Sequence, residues 1–145
     1  MVDIVDRKTR SKIMSRIRGR DTKPEIALRK RLHKMGFRFR THCGNLPGRP
    51  DIVFAQYEAA VFVHGCFWHR HAGCRFATNP SSNREFWQNK FACTVVRDSG
   101  AIAELVALGW RVAVVWECAL ERDGAATSVR VGEWLKGRRR NLELE

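Results

Sequence analysis

Val61-Phe62-Val63-His64-Gly65-Cys66-Phe67-Trp68-His69-Arg70-His71-Ala72-Gly73-Cys74 decides how the rest of the chain is read. It opens as a β-type apolar run and breaks at Gly65. Three His, two Cys and two adjacent aromatic rings leave the chain within this one segment. Side chains that bind metal, move protons and stack on flat rings are more than a core strand needs. The stretch reads as a strand that delivers a functional loop.

Working back from it, Ala59 to Val63 follows a turn at Gln56-Tyr57-Glu58 and the apolar Ile52-Val53-Phe54. So short a connection implies an antiparallel hairpin. Leu46-Pro47-Gly48-Arg49-Pro50 is a loop, and Pro50 fixes φ on the approach to Asp51. Phe37 to Thr41 alternates like a strand with one apolar face. Thr22-Lys23-Pro24-Glu25 has the form of a capping box, opening a helix with Leu28, Leu32 and Met35 on one face and Gly36 as its stop. On that pattern Glu25 is a helix cap.

Working forward, Ser82-Asn83-Arg84-Glu85 is a second capping-box pattern before a helix that carries Phe86, Trp87 and Phe91. A separate helical pattern holds Ile102, Leu105, Val106 and Leu108 and stops at Gly109. Val112 to Val115 is an apolar run typical of a strand covered on both faces. Val129, Trp134 and Leu135 predict a last helix before the basic Lys136 to Arg140. Leu142 to Glu145 has the composition of an expression-tag remnant, and no element is assigned there. The order is helix, three strands, helices, strand, helix. This is an α/β fold whose central sheet is mixed, because the hairpin is antiparallel and a helical crossover makes the next neighbour parallel.

The 145 residues are most simply one domain, here residues 21–140, behind a basic N-terminal arm, residues 1–20. Within the arm, Ile13 and Ile17 are spaced for one weak helical turn. Lys and Arg number 27 against 15 acidic residues, a net charge of +12, which favours a polyanionic partner, above all nucleic acid. No apolar run approaches the about 20 residues of a membrane span, and no signal peptide is evident, so an intracellular setting is expected. In a reducing compartment the five cysteines are more simply metal ligands or buried thiols than disulfides.

Cys66, His71 and Cys74 are spaced to fold over one ion, and thiolate with imidazole is the set that zinc favours. Cys118, at the end of a strand expected beside Val61, is the choice for a fourth ligand, and Cys43 competes with it. With four protein ligands such a zinc is structural; the alternative is that these cysteines are small buried hydrophobes. Asp51 and His64 form a second group. Cutting a phosphodiester calls for a divalent cation, and Mg²⁺ prefers oxygen ligands such as the Asp51 carboxylate and the Val63 backbone carbonyl. His69 suits activation of water or protonation of a leaving oxygen, and His64 assists or contacts phosphate. The competing reading of Asp51 is a turn residue. Phe67 and Trp68, held by the metal loop, have the size and flatness to enter a base step, with Trp87 approaching from the other side. Core packing is the alternative for each ring.

Leu46 to Asp51, Phe62 to His69, Glu85-Phe86-Trp87, Trp110-Arg111-Val112 with Val115 to Leu120, and the Thr9 to Lys12 arm together resemble the very short patch repair endonucleases of bacteria. The resemblance runs in order over residues 6 to 121. It implies a restriction-endonuclease-like fold with a variant PD-(D/E)XK site. It also implies an enzyme that nicks double-stranded DNA 5′ of the T in a T·G mismatch left by deamination of 5-methylcytosine. By the resemblance, Asp51 binds catalytic Mg²⁺, His69 activates water with His64 beside it, and Glu25 and Asp98 belong to the same site. Cys66, His71, Cys74 and Cys118 then hold structural Zn²⁺, and Phe67, Trp68 and Trp87 intercalate. A monomer in the bacterial cytoplasm, at the nucleoid, is expected, with mismatch-repair proteins as further partners. Two departures stand out: Val63 replaces the usual Thr, and the loop from His71 to Cys74 is one residue longer. The competing functions are a zinc-stapled DNA-binding module without catalysis and a nuclease that cuts intact duplex.

Overall fold

The computed structural model describes residues 22–145, so the expected arm over residues 1–20 lies outside the described residues. Helix α1 (Lys23–Lys34) precedes strands β1 (Arg40–Thr41), β2 (Ile52–Phe54) and β3 (Ala59–His64). Helix α2 (Arg84–Ala107), strand β4 (Arg111–Trp116), helix α3 (Glu117–Lys136) and strand β5 (Asn141–Leu144) complete the chain. The sheet runs β1-β2-β3-β4-β5. Its first two pairings are antiparallel and its last two parallel, giving the mixed sheet that the hairpin and the crossover required. In the parallel half Val61 lies beside Ala113 and His64 beside Trp116.

Alternation along the central strands divides the core between two faces. Val61, Ala113 and Val115 pack with Leu28 and Leu32 of α1 and with Leu120, Val131 and Leu135 of α3. Ala60, Phe62 and Val112 face the other way, against Leu105 of α2. The sheet is thus sandwiched between helices, with the last residues of β3 emerging at one end. No helix among the described residues is long and apolar enough to cross a membrane.

Four local expectations change. Thr22 is the N-cap of α1, but its side chain makes no cap bond, and Glu25 is buried rather than turned back to the helix start. Asn83, in a left-handed conformation, precedes α2 in place of the Ser82 box, again without a side-chain cap bond. The two helical patterns after it form one continuous helix of 24 residues through Gly100. One interior glycine costs a helix only about 1 kcal/mol, and burial of Phe91, Ala101 and Leu105 outweighs it. Finally, residues set aside as a tag remnant form β5, paired in parallel to β4, with Leu142 and Leu144 buried in the main core.

Candidate active site

Where β3 leaves the sheet, a cavity of about 1280 Å³ opens between the β1–β2 loop, the loop after β3 and helix α2. Asp51, at the start of β2, lines it, and Asp51 Oδ2 accepts the Val63 backbone N–H at 2.7 Å. In an extended strand the N–H and C=O of one residue leave on the same side. The Val63 carbonyl is therefore on the side of β3 that faces Asp51. Burial pushes the Asp51 carboxyl up to about 7, the Val63 N–H working against it and the neighbouring Glu25 adding to it. Glu25 reaches the site from α1: its Oε2 accepts Arg29 Nη1 at 2.7 Å and lies 3.2 Å from His42 Nε2.

The imidazoles form a second group on the same wall. His64 is buried and stacks on His69, with ring centroids 3.9 Å apart and planes 6° from parallel. Burial, with His69 beside it, lowers the His64 pKa to about 3, so its ring is neutral at any ordinary pH. His69 Nδ1 lies 2.6 Å from Asp98 Oδ2 of α2. With Nδ1–H donating to that carboxylate, Nε2 is the nitrogen left to accept a proton. Asp51, His64, His69, Glu25 and Asp98 all line one cavity.

Phe67, Trp68 and Trp87, all half-buried, line the same cavity. Phe67 meets Trp68 edge-on at 5.0 Å, and the Trp68 and Trp87 centroids are 5.7 Å apart. Phe91 closes the cluster from below, and the Arg70 guanidinium covers its ring at 4.2 Å. Arg70 also donates to Thr78 O at 2.9 Å and Asn79 Oδ1 at 2.7 Å, tying the following loop to the cluster.

Behind the rings, the ligand-type atoms of Cys66, His71, Cys74 and Cys118 all lie within 4.8 Å of one another. Cys118 Sγ and His71 Nδ1 are 3.5 Å apart. Tetrahedral zinc, with bonds of about 2.3 Å to sulfur and about 2.05 Å to nitrogen, separates those two ligands by about 3.5 Å. His71 Nε2 meets Glu145 Oε2 at 2.6 Å, which orients the ring. Cys43, the competitor for the fourth place, is not in this group.

Residues 2–75 match the family profile described as "DNA mismatch endonuclease Vsr". The chain belongs to the Vsr DNA mismatch endonuclease family. It is 42% identical over 150 aligned positions to the DNA mismatch endonuclease Vsr of Escherichia coli (strain K12), covering 100% of this chain and 95% of that protein. A type II nicking enzyme of Xanthomonas oryzae pv. oryzae is 46% identical over 125 residues, 86% of this chain and 91% of its own length. A third relative, a type II nicking enzyme of Neisseria meningitidis serogroup A, is 42% identical over 83% of this chain and 86% of its own. A member of the Vsr family is a DNA endonuclease, a hydrolase of the phosphodiester backbone.

Two residues of this site carry no sequence signal. His42, alone in a run of basic and polar residues, enters only because the loop before β2 folds back on α1. Arg70 is one arginine among many, and its link between the ring cluster and the loop at Thr78 is purely tertiary.

Proposed function

We propose that this Vsr-family chain nicks double-stranded DNA 5′ of the T in a T·G mismatch and so initiates very short patch repair. The observation that carries the reading is a shared cavity, lined together by carboxylates, stacked imidazoles and the aromatic group. Asp51 and the Val63 carbonyl are hard oxygen donors, suited to Mg²⁺. Burial and the neighbouring Glu25 raise the Asp51 carboxyl to about 7, and a cation beside it would favour the ionised form. When bound, Mg²⁺ supplies positive charge against the charge that builds on the scissile phosphate.

The residues themselves do the rest. His69 Nε2 takes the proton of the attacking water while the 3′ oxygen leaves phosphorus, and Asp98 holds the ring in the required tautomer. His64, neutral and stacked beneath, fixes the plane of His69. Phe67, Trp68 and Trp87 enter beside the mispair, where unstacking is least costly. Cys66, His71, Cys74 and Cys118 are the zinc set that keeps the segment carrying Phe67 and Trp68 rigid. The domain is single, with the basic arm of residues 1–20 on the DNA backbone.

Single-turnover cleavage of matched 20- to 30-base-pair duplexes that differ only at T·G against T·A tests the proposal; that length is about two to three helical turns. The expected result is one nick, 5′ of the mismatched T, dependent on a divalent cation. Tight binding of T·G duplex without a nick would make the chain a binding module. Equal cutting of T·A duplex would make it a nuclease without mismatch preference.

A further inference from the structure

The loop that leads into Asp51 carries an imidazole with no part in the proton chemistry above. His42 follows β1 with φ at 51°, and its backbone N–H donates to the Asp51 carbonyl at 3.2 Å. Its Nε2 stands 3.2 Å from Glu25 Oε2, and the Glu25 side chain is 3% exposed. Ligand-type atoms of Glu25, His42 and Asp51 all fall within 4.8 Å of one another. An octahedral ion with bonds of about 2.1 Å sets adjacent ligands about 3.0 Å apart and opposite ones about 4.2 Å apart. The observed 3.2 Å edge matches an adjacent pair. Arg29 Nη1 donates to that same Glu25 oxygen at 2.7 Å, which holds the carboxylate in place.

Resting on the reading of Asp51 as a cation ligand, we propose that His42 is a further protein ligand of that cation, with Glu25 beside it. The site is then a two-carboxylate, one-imidazole site that accepts Mg²⁺ but binds first-row transition dications more tightly, with manganese(II) as the probe. Mg²⁺ requires near-ideal oxygen coordination and gives up water reluctantly. Divalent ions of the transition series accept nitrogen as well as oxygen, with affinity rising along the row. An imidazole in the ligand set therefore improves binding of Mn²⁺ while adding little for Mg²⁺.

Pulsed electron paramagnetic resonance on the full chain loaded with Mn²⁺ gives a readout that does not depend on activity. The expected spectrum shows a nitrogen coupling that changes on ¹⁵N-histidine labelling and is lost in His42→Gln. In competition titrations His42→Gln should weaken Mn²⁺ about tenfold and Mg²⁺ less than about twofold. No nitrogen coupling in the labelled wild type overturns the proposal, and that arm needs no variant to fold. A coupling retained in His42→Gln, or an unchanged ratio of Mn²⁺ to Mg²⁺ affinity, also overturns it. Asp51→Asn separates the two levels. Binding lost there but kept in His42→Gln leaves Asp51 as a ligand and removes His42. Binding and coupling unchanged in Asp51→Asn mean that the ion sits elsewhere, and both readings fall.

Discussion

Asp51 and His64 are buried groups whose charged forms the fold disfavours, and they act on stability with opposite signs. The folded His64 stays neutral down to about pH 3, whereas an unfolded imidazole gains its proton as pH falls through 6.5. His64 therefore costs stability as pH drops from 6.5 toward 3. Folded Asp51 keeps its proton up to about pH 7, whereas the unfolded carboxyl loses it near 3.8. Asp51 therefore costs stability as pH rises from 3.8 through 7. Between those limits the two slopes oppose each other. Asp51→Asn removes one of them, and urea midpoints in divalent-free buffer should then rise with pH more steeply than in the wild type. The difference is up to about 1.4 kcal/mol per pH unit between about pH 4 and pH 6.5. Parallel profiles would mean that Asp51 is ionised in the metal-free fold. At the same scale, the proposed action of Asp98 through His69, 2.6 Å away, predicts that Asp98→Asn slows nicking about 10- to 100-fold with mismatch affinity unchanged. A loss of affinity equal to the loss of rate would give Asp98 a structural role instead.

At the scale of elements, the β1–β2 loop is the joint on which the site depends. Gly48 has φ of +74°, and a Cβ there would lie 2.6 Å from the Ala101 Cβ on α2. Gly48→Ala combines an unfavourable backbone conformation with a clash between two elements, at a cost of about 2 kcal/mol or more. The melting temperature should fall, and nicking should fall further than stability alone explains, because the same loop carries Asp51. A variant with wild-type melting would show that α2 can move aside. The hydrophobic period made the strand hairpin, the apolar run of β4 and the apolar face of α1 legible in the sequence. The start of α1 after Thr22 was legible too, but the capping bonds were not, because a Ser/Thr-x-x-Glu pattern says where a cap is chemically available and not what tertiary partner competes for the glutamate. Glu25 is taken by Arg29 and His42. Likewise, two apolar clusters separated by Gly100 read as two helices, since the packing of Ala101 and Leu105 that bridges them is not local.

Across the whole molecule, three groups meet at the end of β3: the oxygen and nitrogen donors, the rings, and the Cys/His set. Many residues of each were legible because β3 and its loop carry them in one segment, whereas His42 among the donors was not. Cys118 was chosen from the neighbouring strand and does join Cys66, His71 and Cys74. Strand β5 was missed because Leu142 to Leu144 alternates over too few residues to distinguish it from a tag, and its pairing comes only from β4. Removal of zinc by a chelator should lower the melting temperature and abolish T·G preference, and Cys118→Ser should do the same while Cys43→Ser does not. Equal effects from both cysteines would reopen the ligand set. Trp68→Ala should reduce the preference for T·G over T·A binding by about 2 kcal/mol, roughly thirtyfold, without changing the fold.

The central claim is that one cavity holds separable machinery for recognising a mispair and for cutting beside it. Measuring T·G duplex affinity and single-turnover nicking side by side in Asp51→Ala tests it most directly. Affinity should stay within about threefold of wild type while the nicking rate falls by at least about a thousandfold. A variant that still nicks the T·G strand at the wild-type rate would contradict it.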